Sequence, residues 1–275
     1  MRIKKYFFSL ISFVFLLATL SAAELSIKEQ EAIDNFMQFR VNLTSESDAQ
    51  IILKRINQYQ SNLSLPSSFS AESKLIIENF ITLEKYNYMY TLDIHNPKLP
   101  ELILPQKDKN DKWFDTHDKE NINKWLYCTA ADVISCCMQF VSKTDAMKMG
   151  LTIKDHYKKA LSMDSNMSYA LFGMGQWLIQ APGIAGGSKK GAIEAFELSL
   201  SSARNNAERF YAYVLLSQGY YEGNKKDVAT STLQKAIDLA PNSTYPMFIK
   251  LLNDNNYSLY YYITHREKID KKLHI

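Results

Sequence analysis

Few residues in this chain have the types and spacing that chemistry needs. Three cysteines, Cys128, Cys136 and Cys137, fall in one apolar segment. A metal site would need four converging ligands, and no histidine stands at ligand spacing from them. An odd count within one segment does not suit a disulfide framework. Small buried hydrophobes is the reading that fits. The five histidines, His95, His117, His156, His265 and His274, are scattered. His117 is flanked by Asp115 and Asp118, the one place where a carboxylate could orient a base, as nucleophilic chemistry requires. Gly183 to Gly191 is glycine-rich, but Ser188 stands where a phosphate loop needs its second glycine, and the preceding segment reads as helix. A weaker option remains. Ser188 opens a helix whose free N–H groups, beside Lys189 and Lys190, could hold a carboxylate or phosphate. A structural turn with a solvated lysine pair is the competing reading. No cofactor is implied.

The elements that would position these groups are helical. Ser26 and Glu29 form a capping box, in which each side chain satisfies the other's backbone N–H. Ile33, Phe36 and Met37 follow at helical spacing. Further helices are predicted over 47–63 and 71–92, separated by a turn at 64–68. Residues 24–94 therefore read as an N-terminal helical region. Residues 95–118 carry Pro97, Pro100 and Pro105 and then a charged run from Lys107 to Lys112. They are expected to form a long irregular loop, and such loops are uncommon without a function. Helices resume from about 121 and occupy 119–275. Glycine (9) and proline (7) are too scarce for a sandwich of many short strands. The expected fold class is all-α.

The first 23 residues have the layout of a secretory signal peptide. Arg2, Lys4 and Lys5 precede an apolar run from Phe7 to Leu20, and Ser21-Ala22-Ala23 supplies small residues before Glu24. Fourteen residues are short against the roughly twenty that span a bilayer. A periplasmic or secreted location is expected, with no stable membrane insertion after cleavage. The whole chain has 32 Lys+Arg and 29 Asp+Glu. The signal holds three of the basic residues and no acids, so the remainder carries 29 of each. A general attraction to nucleic acid loses its basis.

A repeat emerges in the second half. Tyr157-Lys-Lys-Ala160-Leu161, Phe196-Glu-Leu-Ser199-Leu200 and Leu233-Gln-Lys-Ala236-Ile237 align on Ala160, Ser199 and Ala236. Each alignment pairs a small residue, where two helices approach closely, with a large apolar neighbour. Gly175 and Trp177 precede the second of these, and Tyr213, Leu216 and Tyr220 precede the third. Pro241 follows Leu239-Ala240, where proline ends a helix. Over about residues 134–242 the pattern resembles the tetratricopeptide repeat. The resemblance implies antiparallel helix pairs stacked as an α-solenoid, with the last helix, about 258–273, as its cap.

The second unit is longer than the family's spacing, and the surplus lies in Ala181-Pro182-Gly183-Ile184-Ala185-Gly186-Gly187-Ser188. The first helix must stop before Pro182. Gly186 and Gly187 permit a tight reversal, and Ser188 caps the next helix. Together with Trp177, Ala192 and Phe196-Glu197, this turn resembles the T-component of spirochaetal periplasmic TRAP transporters and related exported repeat proteins. No cysteine stands at the Ala23–Glu24 junction, where that lipoprotein family carries one.

The resemblance implies a protein without catalysis. It would bind a partner protein, such as a transporter's periplasmic substrate-binding protein, together with an apolar ligand. Its candidate binding residues are Trp177, Pro182, Gly186, Gly187, Ser188, Lys189, Tyr213 and Tyr220. Seventeen tyrosines support a ligand groove, although tyrosines also pack between helices with their hydroxyls at the rim. An envelope scaffold without a ligand and an enzyme with its site in 95–118 are the alternatives. N-terminal sequencing of the exported protein is expected to begin at Glu24; a chain that retains Met1 would reject the cleavage reading.

Overall fold

The computed structural model describes residues 24–275; the expected signal segment, 1–23, lies outside them. Among the described residues there are twelve α-helices and no strand. They are α1 (Ile27–Leu43), α2 (Ala49–Asn62), α3 (Ala71–Leu92), α4 (Lys98–Thr116), α5 (Lys124–Cys137), α6 (Lys143–Met163), α7 (Ser168–Gln180), α8 (Lys189–Ser202), α9 (Asn206–Glu222), α10 (Lys226–Leu239), α11 (Thr244–Asp254) and α12 (Leu259–Leu273). The all-α expectation is met. None of the described helices is long and apolar enough to cross a membrane.

Local chemistry explains most of the boundaries. Ser70, Ser142, Ser188, Asn205 and Ser258 each accept a backbone N–H in the first turn of the helix that follows, which satisfies one of the four donors a helix start leaves open. From α5 onward, consecutive helices pack as α5 on α6, α7 on α8 and α9 on α10, with each pair touching the next. Ala160, Ser199 and Ala236 are each fully buried. Close approach is enforced by glycine at one point: a Cβ on Gly175 would lie 2.4 Å from the Phe196 ring, and one on Gly219 would meet the same ring at 2.9 Å.

The irregular loop expected over 95–118 is instead the helix α4. Pro97 is its N-cap and Pro100 lies in its first turn, where a missing N–H costs nothing. Pro105 falls on an exposed position, where water can satisfy the carbonyl it leaves unpaired. The buried stripe is Leu99, Ile103, Gln106 and Asn110. Its second half is polar, which hides the helical period. Those polar side chains are paired. Gln106 and Asn110 both donate to Asn79 Oδ1, at 2.7 and 3.0 Å, and Asn79 Nδ2 donates to Asn110 and Thr129. This knot locks α4 to α3 and α5.

The N-terminal helices do not trail from the pairs; they bind both ends of the row. α1 packs on α3 and on α9. Trp125 of α5 donates to Gln30 of α1 at 3.0 Å. The Thr244 N–H donates to Thr44 O at 2.7 Å, and the Thr44 and Ser243 hydroxyls are 2.7 Å apart. Arg266 of α12 donates to the carbonyls of Tyr90 and Thr91 at the end of α3. The last helices thus return to the first.

Glu29 joins the starts of α1 and α3. Its Oε2 accepts from the Ser26 N–H and hydroxyl, both at 2.8 Å, and its Oε1 accepts from the Ser70 N–H at 2.8 Å and the Ser73 hydroxyl at 2.7 Å. Burial alone would raise its pKa, but the bonds from Ser70, Ser73 and Ser26 outweigh burial and hold it at about 2. A carboxylate with a depressed folded pKa stabilises above the unfolded value near 4.5, and that stability is lost as pH falls toward 2. Glu29→Gln is expected to cost about 2 kcal/mol at pH 7 and to flatten the stability profile between pH 4.5 and 2. Urea titrations at several pH values check this; an unchanged slope in that window would contradict it.

Candidate functional site

Arg40 is the charged residue that the packing of α1 turns inward. Its Nε donates to Glu84 of α3, and the two side chains are 16% and 6% exposed. The guanidinium lies over the Phe80 ring at 5.9 Å and the Tyr211 ring at 5.0 Å, within cation–π range of each. Burial opposes its charge, but Glu84, with Tyr211 and Tyr169 nearby, keeps it firmly protonated.

Three half-buried tyrosines feel the charges of this pair. Tyr88 stands one turn after Glu84 on α3, Tyr211 comes from α9, and Tyr245 from α11. Each is half-buried, and each lies within electrostatic reach of Arg40 and Glu84. Tyr260 of α12 is 8% exposed. Burial raises the pKa of all four phenols, that of Tyr245 to about 12. They remain protonated donors at neutral pH. Among the described residues the Tyr260 hydroxyl is wholly buried and has no hydrogen-bond partner. On the α5 side Asp132 accepts from Tyr157 and, at 2.6 Å, from Tyr169, so both its oxygens are occupied. Burial raises its pKa against those bonds and Arg40. Cys136, one turn on, is half-buried, and burial pushes its thiol up, so it is no nucleophile at neutral pH. The three cysteines are free.

The residues chosen from the sequence lie elsewhere. Trp177 Nε1 donates to Gly150 O at 2.7 Å and its ring lies under Lys154 Nζ at 4.4 Å, pinning α7 to α6. α7 ends at Gln180, before Pro182. Gly186 takes φ +94°, the left-handed conformation that only glycine adopts freely. Gly187 is required for space, since a Cβ there would lie 1.8 Å from Ala181 O. The Ser188 N–H donates to Leu178 O at 2.8 Å, and its hydroxyl accepts from the Gly191 N–H at 3.0 Å. Lys189 is engaged by Glu222 at 2.8 Å. The turn thus holds its own geometry through Ser188, Gly191 and the Lys189–Glu222 pair. Tyr220 donates to Glu197 at 2.6 Å, and Lys235 lies over Tyr213 at 5.8 Å. Neither belongs to the group around Arg40.

His117 stacks on Trp113 at 3.9 Å, and its Nδ1 lies 3.0 Å from Trp113 O. Neither Asp115 nor Asp118 pairs with it, and all three are exposed. His156 packs against Phe114 and Tyr127, where burial lowers its pKa to about 4. No group of three or more acids, histidines or cysteines that could hold a metal occurs among the described residues.

Sequence reasoning missed Arg40, Glu84, Tyr88 and Tyr245. The available signal was a lone arginine and a lone glutamate within otherwise apolar helical stripes. No family model matches the chain, and no curated protein matches it.

Removing one partner of a buried ion pair strands the other charge. Glu84→Gln is therefore expected to destabilise by about 3 kcal/mol, while Glu84→Met combined with Arg40→Met recovers most of the loss. Chemical denaturation of both variants measures this; equal losses would mean that the pair is not coupled.

Proposed function

We propose that this chain is an exported, non-enzymatic helical-repeat protein that binds a partner protein together with an apolar ligand. In this reading α5–α12 stack as a tetratricopeptide-like solenoid, and α1 and α3 close its inner face. The supporting observation is the pairing of consecutive helices from α5 onward, with Ala160, Ser199 and Ala236 fully buried where the helices approach. Repeat arrays also use their inner surfaces for binding. The resemblance of Trp177 and the 181–188 turn to the TRAP T-component suggests that the partner is a transporter's periplasmic substrate-binding protein, which agrees with the signal-like start of the chain.

Native mass spectrometry of the protein isolated from its source is the test. A co-purifying small molecule, with a second protein in the complex, is the expected result. Protein that is recovered alone and empty would favour an envelope scaffold instead.

A further inference from the structure

We infer that the groove between α2 and α4 docks an acidic amphipathic helix of a partner protein, with the apolar stripe of that helix on Leu53, Met89 and Leu102 and its carboxylates on Lys54, Lys85 and Lys98. This rests on the partner-binding reading above and adds where the partner docks and by what chemistry.

α2 and α4 each pack on α3. A cavity of about 400 Å³ lies at their meeting, lined by Leu53 from α2, Lys85 and Met89 from α3, and Lys98, Glu101 and Leu102 from α4. Leu53, Met89 and Leu102 are half-buried, so each keeps part of its apolar surface open to the cavity. A second cleft, of about 570 Å³, continues along α2 past Lys54. The two clefts share Leu53 and Asn57, which makes the groove continuous.

Charge selects the occupant. Among the described residues Lys85 donates to the Gln60 side-chain oxygen, and neither it nor Lys54 or Lys98 has an ion-pair partner. Farther along α4, Lys107 and Lys109 are each matched by a carboxylate, from Asp111 and Glu78. Burial lowers the Lys85 pKa, as it does for a cation with no carboxylate beside it. Around the groove three lysines, one from each helix, stand against one acid, Glu101. A complementary occupant carries negative charge on both sides of an apolar stripe.

Shape selects its form. Lys54, Lys98 and Glu101 are exposed, so the rim is open and one face of the occupant stays uncovered. Small molecules are ordinarily buried over most of their surface by their sites. An uncovered face suits a helix that belongs to a larger body. Such a helix offers anchors at i, i+4 and i+7, spread over about 10 Å, to the three apolar residues of the floor. A second copy of this chain, docked through the same face, sets lysines against lysines.

The test uses the intact mature protein and three synthetic helix-forming peptides: one with a leucine stripe flanked by glutamates, one with the same stripe flanked by lysines, and one with glutamates around a serine stripe. The first is expected to bind about tenfold or more tightly than either of the others by calorimetric titration, and to weaken as salt is raised. Lys54→Glu combined with Lys98→Glu changes only exposed positions and is expected to reverse the charge preference. Leu102→Ser is expected to weaken the acidic peptide several-fold. Failure of every peptide to bind, or a preference unchanged in the double lysine variant, would overturn the groove assignment. Binding of decanoate in place of the peptides, or a dimer lost in the double lysine variant, would give the groove to another occupant and overturn it too. A partner protein that the double variant still retains in native mass spectrometry would reject the groove and leave the partner-binding reading standing.

Discussion

An arginine cannot shed its proton to escape burial, so the inward turn of Arg40 constrains everything around it. Its charge has to be met in place, and Glu84 meets it from α3 while Phe80 and Tyr211 cover its faces. Those contacts tie α1 to α3 and to α9, elements far apart in sequence. Phe80, Glu84 and Tyr211 are neighbours around Arg40 because this one charge must be compensated.

The same logic recurs at lower charge. Glu29 joins the starts of α1 and α3 with four donors, and Asn79 binds α3 to α4 and α5 through Gln106, Asn110 and Thr129. Apolar packing alone tolerates sliding of one helix along another. A buried polar group tolerates little, since a shift of one turn leaves donors and acceptors unmet. The apolar stripes hold the helices together, and these polar links set their register.

Legibility in the sequence followed the range of the determining interaction. The capping box at Ser26, the helix over 71–92 and the stop before Pro182 all depend on residues within a few positions of one another, and all were readable. The helix over Lys98–Thr116 was not, because Gln106 and Asn110 occupy its buried face and three prolines suggested a break. Asn79, which makes those polar residues acceptable inside, lies 27 and 31 positions away. The candidate site shows the same limit. The 181–188 turn stood out for its composition, yet its donors serve its own geometry.

By itself the sequence determined the all-α class, most helix boundaries and the small residues at Ala160, Ser199 and Ala236 where helices approach. Capping, proline and periodicity act locally, so they are written locally. Which face of each helix looks inward, and that Arg40, Phe80, Glu84 and Tyr211 gather, was decided by the tertiary structure. Compensation of a buried charge is a property of neighbours in space, and four residues drawn from three helices have no common pattern along the chain.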